Sequence, residues 1–274
     1  MKSYDELKQV AKQLRKLVIE GVYAAQSGHP GGSLSICDMM AVLYFKEMRI
    51  DPAHPQDPHR DRFVLSKGHA APGYYAALAV RGFFDPEAMK TLRKEGSFLQ
   101  GHPALGKIPG VDMSTGSLGQ GLSAANGMAL AGKYDHMDYR VYCIAGDGEI
   151  QEGQIWEAAM TASHYKLDNL TLFVDHNGLQ IDGPVEDVMN DSPIGAKFAA
   201  FGWNVLEING HDVEAIDSAI QSAKACTGKP TVIVCKTIKG RGVSFMENQV
   251  SWHGAAPNRE QYEQAMAELE NGGM

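Results

Sequence analysis

Two stretches, Tyr139–Ala145 (Tyr-Arg-Val-Tyr-Cys-Ile-Ala) and Thr231–Cys235 (Thr-Val-Ile-Val-Cys), are almost wholly apolar. They constrain the fold of this 274-residue chain more than any other feature. Strands this apolar have both faces covered, as in a parallel sheet packed between helices. The rhythm around them agrees: helix 118–134, strand 140–145, helix 151–165, strand 170–175, helix 193–201, strand 203–208, helix 212–225 and strand 231–236. Strand–helix alternation of this kind builds a three-layer α/β sandwich, a mainly parallel central sheet flanked by helices, with right-handed crossovers. In such folds ligands gather beyond the carboxyl ends of the strands.

The first half of the chain is less regular. Leu7, Val10, Leu14, Leu17, Val18 and Val22 repeat at helical spacing and predict a helix over 4–26, ended by the cluster Gly28-His29-Pro30-Gly31-Gly32. A second helix is expected from Ser35 to Met48, a loop over 51–61, a short strand over Arg62–Ser66, helices over 71–82 and 86–95, and a Gly/Pro-rich excursion over 96–117. With no repeat, low-complexity tract or linker, residues 1–274 read as one domain with a short polar helical tail, 258–274.

Composition narrows the partners. A net charge of −8 argues against nucleic acid or an anionic membrane surface. The longest apolar run, Met39–Phe45, is too short to span a bilayer, and the early acids at Asp5 and Glu6 do not suit a signal peptide. Cys37, Cys143, Cys226 and Cys235 form no C-x-x-C pair, so a disulfide framework or zinc site is not expected and a cytoplasmic location fits.

The chemistry is carried by two strand ends. Strand 140–145 runs into Gly146-Asp147-Gly148-Glu149, and strand 170–175 into Asp175-His176-Asn177-Gly178-Leu179. On neighbouring parallel strands these turns lie side by side, offering a carboxylate and an amide oxygen to one hard cation. Mg²⁺ suits such a pair, because it takes few protein oxygens and completes its octahedron with phosphate oxygens and water. Gly-Asp-Gly alone is a common turn, and two unrelated turns are the plain alternative. The 30-residue spacing from Asp147 to Asn177, with a helix and a strand between, is what raises the motif above that. A second glycine pattern, Gly119-Gln-Gly121-Leu-Ser-Ala124, fits a dinucleotide fingerprint but has no hydrophobic strand before it, and reads better as a closely packed helix start.

With its neighbours, this bipartite motif resembles the N-terminal, diphosphate-binding domain of transketolase. The matching blocks are Ser27-Gly-His-Pro-Gly-Gly32, Asp61-Arg-Phe-Val-Leu-Ser-Lys-Gly-His-Ala70, Gly101-His-Pro103, Thr115-Gly-Ser-Leu-Gly-Gln-Gly121, Gly146–Gly153, Asp175–Leu179 and Trp252-His-Gly254, in order and over nearly the whole chain. The resemblance implies the thiamine-diphosphate-binding fold and thiamine diphosphate as cofactor, held through Mg²⁺ with Ca²⁺ or Mn²⁺ as substitutes. It implies Asp147, Asn177 and the Leu179 carbonyl as metal ligands. Gly148 would donate its amide to the diphosphate, His69 would contact it, and Gly116, Ser117 and Leu118 would lie against the cofactor. His29 and His253 would handle protons on substrate oxygens, His253 beside the cofactor as well, and His102 would bind a donor hydroxyl. Glu152 and Glu157 resemble acids at a subunit interface.

It further implies transfer of a two-carbon ketol unit from a ketose phosphate to an aldose phosphate, in the pentose phosphate pathway. The pyrimidine-binding domain of the family is missing from this chain. The chain is then either one half of a naturally split enzyme, which Met1 and the polar ending favour, or an excised fragment. The split form would be an α₂β₂ heterotetramer with a C-terminal transketolase subunit. Related activities stay open: a deoxyxylulose-phosphate synthase, which the 62–69 and 101–103 blocks fit less well, enzymes of sulfo- or branched-sugar phosphates, dihydroxyacetone synthase, or a non-catalytic cofactor-binding subunit. The remaining histidines (54, 59, 136, 164, 176 and 211) carry no motif and read as structural or surface residues. Lys236 and Lys239-Gly-Arg-Gly242 read either as a mobile loop over the cofactor or as a solvated one.

Overall fold

The computed structural model describes residues 2–272, so the last two residues of the expected polar tail lie outside the described ones. Its centre is a five-stranded, wholly parallel sheet of β1 (Arg62–Leu65), β2 (Val141–Gly146), β3 (Leu170–His176), β6 (Asn204–Asn209) and β7 (Thr231–Lys236), in the order β1-β2-β3-β7-β6. Register is continuous across it: Ile144 pairs Leu65 on one side and Phe173 on the other, and Phe173 pairs Ile233. The apolar strands are covered on both faces because their alternate side chains enter two separate cores. Tyr142, Ile144, Phe173, Ile233 and Cys235 point into one, with α1 (Tyr4–Ala25), α3 (Cys37–Val42), α4 (Ala71–Arg81) and α9 (Val213–Ala225). Val141, Cys143, Ala145, Leu172 and Val234 point into the other, with α5 (Gln120–Tyr134), α6 (Gly153–His164) and α8 (Ile194–Ala200). The three-layer α/β sandwich expected from the sequence is the fold.

Local chemistry explains most element ends. Ser3 and Glu6 form a capping box on α1, and Asn258 and Gln261 form another on α10 (Arg259–Asn271), which packs its Ala265 and Leu269 into the first core. Asp212 caps α9 through the Glu214 and Ala215 amides.

Two expected helices differ. In place of one helix over 35–48, the chain starts earlier, at α2 (Pro30–Ser35), re-forms as α3, and widens into a π turn over Leu43–Glu47. Proline is tolerated at a first helical position, so Pro30 opens a helix inside the Gly28-His29-Pro30-Gly31-Gly32 cluster, expected only to end the first one. Those glycines serve close packing: a Cβ on Gly31 would come within 2.8 Å of the Trp252 carbonyl oxygen. The expected helix 86–95 is only a 3₁₀ turn, Pro86–Thr91, because Arg93 turns left-handed at φ 59° and its amide bonds the Leu99 carbonyl instead. The sequence pattern also gave no sign of a two-residue hairpin, β4 (Leu179–Gln180) with β5 (Gly183–Pro184), or of the short α7 (Val185–Met189) after it. Among the described residues no helix is long and apolar enough to cross a membrane.

Candidate active site at the strand carboxyl ends

Four neighbouring strands deliver their chemical groups to the same edge of the sheet. β1 runs into Lys67-Gly68-His69, β2 into Asp147-Gly148, β3 into Asn177, and β7 into the segment carrying Lys239. With His29, Gly116, Leu118, Leu179, Ile181 and His253 they line a single cavity of about 300 Å³. This is the position at which parallel α/β folds bind ligands.

The two halves of the bipartite motif meet. Asp147 is 2% exposed; its Oδ1 accepts the Gly148 amide at 2.9 Å and its Oδ2 the Gly178 amide at 2.6 Å. Gly178 supplies that amide from a left-handed conformation, φ 76°. Burial, and then the nearby Asp175 carboxylate, push the Asp147 carboxyl up to about 6. Asn177 is oriented from behind: its Nδ2 donates to Asp175 at 3.0 Å, leaving Oδ1 to accept the Leu179 amide at 3.1 Å. Asp175 is wholly buried and is held in turn by Lys67, Thr237 and the Ser35 hydroxyl, the last at 2.6 Å. A buried carboxylate, an oriented amide oxygen and a backbone carbonyl on one cavity wall are oxygen donors of the kind Mg²⁺ accepts, and a cation there would offset the desolvation that raises Asp147. Asp147 and the Asn177 amide oxygen fit the metal; the Leu179 carbonyl accepts the Lys239 ammonium at 3.0 Å here and would have to release it to serve as the third ligand. The Gly148 amide, expected to face a diphosphate, is turned onto Asp147 here.

Three of the four singled-out histidines converge. The ring centroids of His29 and His69 are 5.3 Å apart, those of His29 and His253 5.5 Å, and those of His69 and His253 5.1 Å. All three are held neutral. Burial, then Arg93, pushes His29 down to about 4; burial, then Lys239, pushes His253 down to about 3; burial, then Lys67, keeps His69 well below the usual imidazole range. His102 sits at the rim, exposed, with its ring over Gly116: a Cβ on Gly116 would meet the His102 Cδ2 at 3.0 Å. Gly116 therefore has to be glycine in this structure for the histidine as well as for its φ of 144°. Ser117 lies outside the cavity lining, and so do Glu152 and Glu157, exposed at the start of α6.

Two cations of the site have little signal in the sequence. Lys239, in a segment that reads as a mobile or solvated loop, is 2% exposed; its Nζ donates to the Leu179 carbonyl at 3.0 Å and to His253 Nδ1 at 2.9 Å. Burial, then Lys67, pushes its ammonium down to about 8. His211, read as structural, holds that segment by accepting the Ile238 amide on Nε2 at 2.8 Å while its Nδ1 meets Asp38 at 2.8 Å. The other cation is Lys67, 2% exposed, whose Nζ pairs with Asp175 and also donates to the Gly32 carbonyl at 2.9 Å. Its sequence signal is a lysine immediately after an apolar strand, inside the Asp61–Ala70 block but with no role read for it.

Residues 6–270 match the family described as transketolase, thiamine diphosphate binding domain. The chain is 48% identical over 268 residues to the 6-deoxy-6-sulfo-D-fructose transketolase subunit SqwG of Clostridium sp. (strain MSTE9), covering 98% of each. It is 46% identical over 255 residues to an apulose-4-phosphate transketolase subunit from Phocaeicola vulgatus, covering 93% of this chain and 90% of that one. The crystal structure of transketolase from Campylobacter jejuni superposes with a TM-score of 0.92 at 36% identity, over 98% of this chain but 43% of the larger one. The strand-end geometry and these similarities lead to the same result: the chain belongs to the transketolase family, as its thiamine diphosphate binding domain.

Proposed function

We propose that the chain is the diphosphate-binding subunit of a two-chain transketolase, one domain in itself, which moves a two-carbon ketol unit between sugar phosphates once joined by a subunit carrying the pyrimidine-binding domain. The observation that carries this reading is the convergence of Asp147, Asn177, Leu179, Lys239 and three neutral histidines on one cavity. When bound, thiamine diphosphate supplies the carbanion chemistry.

The residues divide the remaining work. Asp147, Asn177 Oδ1 and the Leu179 carbonyl would hold Mg²⁺. Lys239 and His69 present positive and polar groups on the same wall for the diphosphate, with the Gly148 amide available by turning from Asp147. His29 and His253, uncharged and close together, would hydrogen-bond the oxygens of the donor sugar, with His102 at the rim for a further hydroxyl. A non-catalytic binding subunit has no need of such a cluster of neutral histidines around a cation site.

The cavity wall also favours a second chain. Leu118 and Ile181, both lining the cavity, are 37% and 64% exposed, and Met189 beyond them is 61% exposed. Gln151 ties this region together, donating to Gln180 Oε1 at 2.6 Å and to the Met189 carbonyl at 2.8 Å. Apolar side chains around a half-built site are what a partner subunit would cover. An α₂β₂ assembly, with Glu152 and Glu157 at its interface, is the stoichiometry we propose.

Two relatives of nearly equal length are named for a sulfo-sugar and for apulose 4-phosphate, which favours a modified sugar, sulfonated or phosphorylated, as donor. The test is ketol transfer to ribose 5-phosphate or glyceraldehyde 3-phosphate with thiamine diphosphate and Mg²⁺, offering xylulose 5-phosphate, 6-deoxy-6-sulfofructose and apulose 4-phosphate in turn. The chain is assayed alone and with a candidate pyrimidine-domain chain. Turnover only in the mixture is expected. Turnover by the chain alone, or none with any donor despite a stable complex, overturns the reading.

A further inference from the structure

Arg93 lies in none of the matching sequence blocks, yet it joins two of them. It follows the 3₁₀ turn Pro86–Thr91 in a left-handed conformation, φ 59°, which residues other than glycine seldom adopt. That turn sends its side chain back into the site. Nη1 donates to the Ser27 hydroxyl at 3.3 Å, and Nη2 reaches the Gly101 carbonyl at 3.3 Å and His29 Nδ1 at 3.4 Å. The guanidinium thus spans the segment leading into α2 and the loop carrying His102. Gly101 keeps room for it, since a Cβ there would stand 3.1 Å from Arg93 Cζ. Its Nε is buried with no hydrogen-bond partner among the described residues, a cost accepted only where the group is otherwise fixed in place.

A guanidinium has donors and no acceptor, and keeps its charge at any working pH. Toward it, His29 Nδ1 can only accept. A neutral imidazole carries one proton, so that proton is then on Nε2, the nitrogen that a Cβ on Gly254 would meet at 3.5 Å. We propose that Arg93 is a positioning residue that fixes His29 as the Nε2–H tautomer, so that His29 meets the donor sugar as a hydrogen-bond donor. The groups facing His29 are Arg93, His102, Lys239, His69 and His253, and none of those acting on its charge is acidic. Burial, then Arg93, with His102 and Lys239 behind it, holds it down to about 4, which agrees with the geometry.

The kinetic consequence rests on the ketol-transfer reading above; the tautomer does not. The chain is therefore labelled with ¹⁵N-histidine, the His29 ring signals are assigned from the H29Q spectrum, and wild type is compared with R93K and R93M. In wild type the Nε2 signal should carry the proton and Nδ1 should not, with no titration down to pH 5. In R93M the two tautomers should mix and the titration should move up by at least one pH unit; in R93K the pH shift should be smaller, but the tautomers should still mix. Spectral dispersion of the other histidines reports whether each variant is folded. In the two-chain enzyme, R93M should lower kcat by about 10-fold with little change in KM, the loss of an oriented hydrogen bond made mainly in the transition state. A wild-type proton on Nδ1, or an R93M spectrum with an unchanged His29, overturns the proposal. A tautomer change in a chain that shows no ketol transfer with any partner would leave Arg93 in this role and remove the ketol-transfer reading instead.

Discussion

Asp147 Oδ2 accepts the Gly178 amide at 2.6 Å, so the carboxylate at the end of β2 is fastened to the turn at the end of β3, 31 residues away. The bond joins the two loops that must share one cation. It also makes Asp147 the pivot of the site. Among the described residues, the one other carboxylate lining the wall beside Asn177 and Leu179 is Glu149, which is occupied by Ser66 and the Gly119 and Gly146 amides.

Asp147→Ala should therefore abolish metal binding without unfolding the chain. Mn²⁺ titration followed by electron paramagnetic resonance, with thiamine diphosphate present, is expected to show a loss at least as large as the roughly 10–100-fold that losing an outer-shell partner costs. Unchanged Mn²⁺ affinity would refute the ligand assignment.

The buried Lys67–Asp175 pair makes a second, separable prediction. Burial opposes the Asp175 charge, and Lys67 with the Ser35, Thr237 and Asn177 hydrogen bonds more than offsets it, holding the carboxyl below its usual range. Lys67→Met removes the cation and leaves a wholly buried carboxylate, at a cost of about 3–5 kcal/mol. Lys67→Met combined with Asp175→Asn should recover part of that stability in urea unfolding. Metal affinity should stay impaired, because the neutral amide put in place of Asp175 no longer orients Asn177 in the same way. Equal stability of the single and double variants would show that the pair is not coupled.

Gly116→Ala tests the link between the 115–118 segment and His102. The added methyl would enter the 3.0 Å gap to the His102 ring, at a backbone φ of 144° that other residues avoid. A destabilisation of about 1–3 kcal/mol is expected from the backbone alone. Displacement of His102 should appear as a changed histidine NMR signal for that ring while those of His69 and His253 stay in place.

Sheet and motif were legible because both are local patterns. Apolar runs such as Thr231–Cys235 name their strands, and a Gly-Asp-Gly at a strand end names its own position on the sheet edge. What escaped was set by long-range contact. Lys239 sits among glycines and looks like a solvated loop until its ammonium meets the Leu179 carbonyl, 60 residues earlier, and Lys67 finds Asp175 across 108 residues. Arg93 was hidden differently: helical periodicity over 86–95 predicts continued turns, and only the left-handed residue that breaks them aims its side chain at His29. The broken helix at 30–47 has the same origin, since Gly31 is small for the sake of the Trp252 carbonyl and not for any property of its own segment.

The neutral histidines predict how stability depends on pH. His29 is pushed down to about 4 and His253 to about 3, against an ordinary value near 6.5, so between those limits the unfolded chain binds more protons than the folded one. Their contribution is fully present above pH 6.5 and is lost as the pH falls toward 4 and then 3. Asp147 acts in the opposite sense: raised to about 6 from 3.8, it binds its proton more readily in the folded state and offsets part of the loss. The histidine effect is therefore read as a difference, by urea unfolding of wild type and His29→Gln at several pH values between 7.5 and 4.5. Wild type should lose stability relative to the variant as the pH falls through 6.5, because the glutamine has no proton to gain. A constant difference across that range would mean that His29 is not held neutral by its surroundings, and the reading of the site as a cluster of uncharged donors would fail with it.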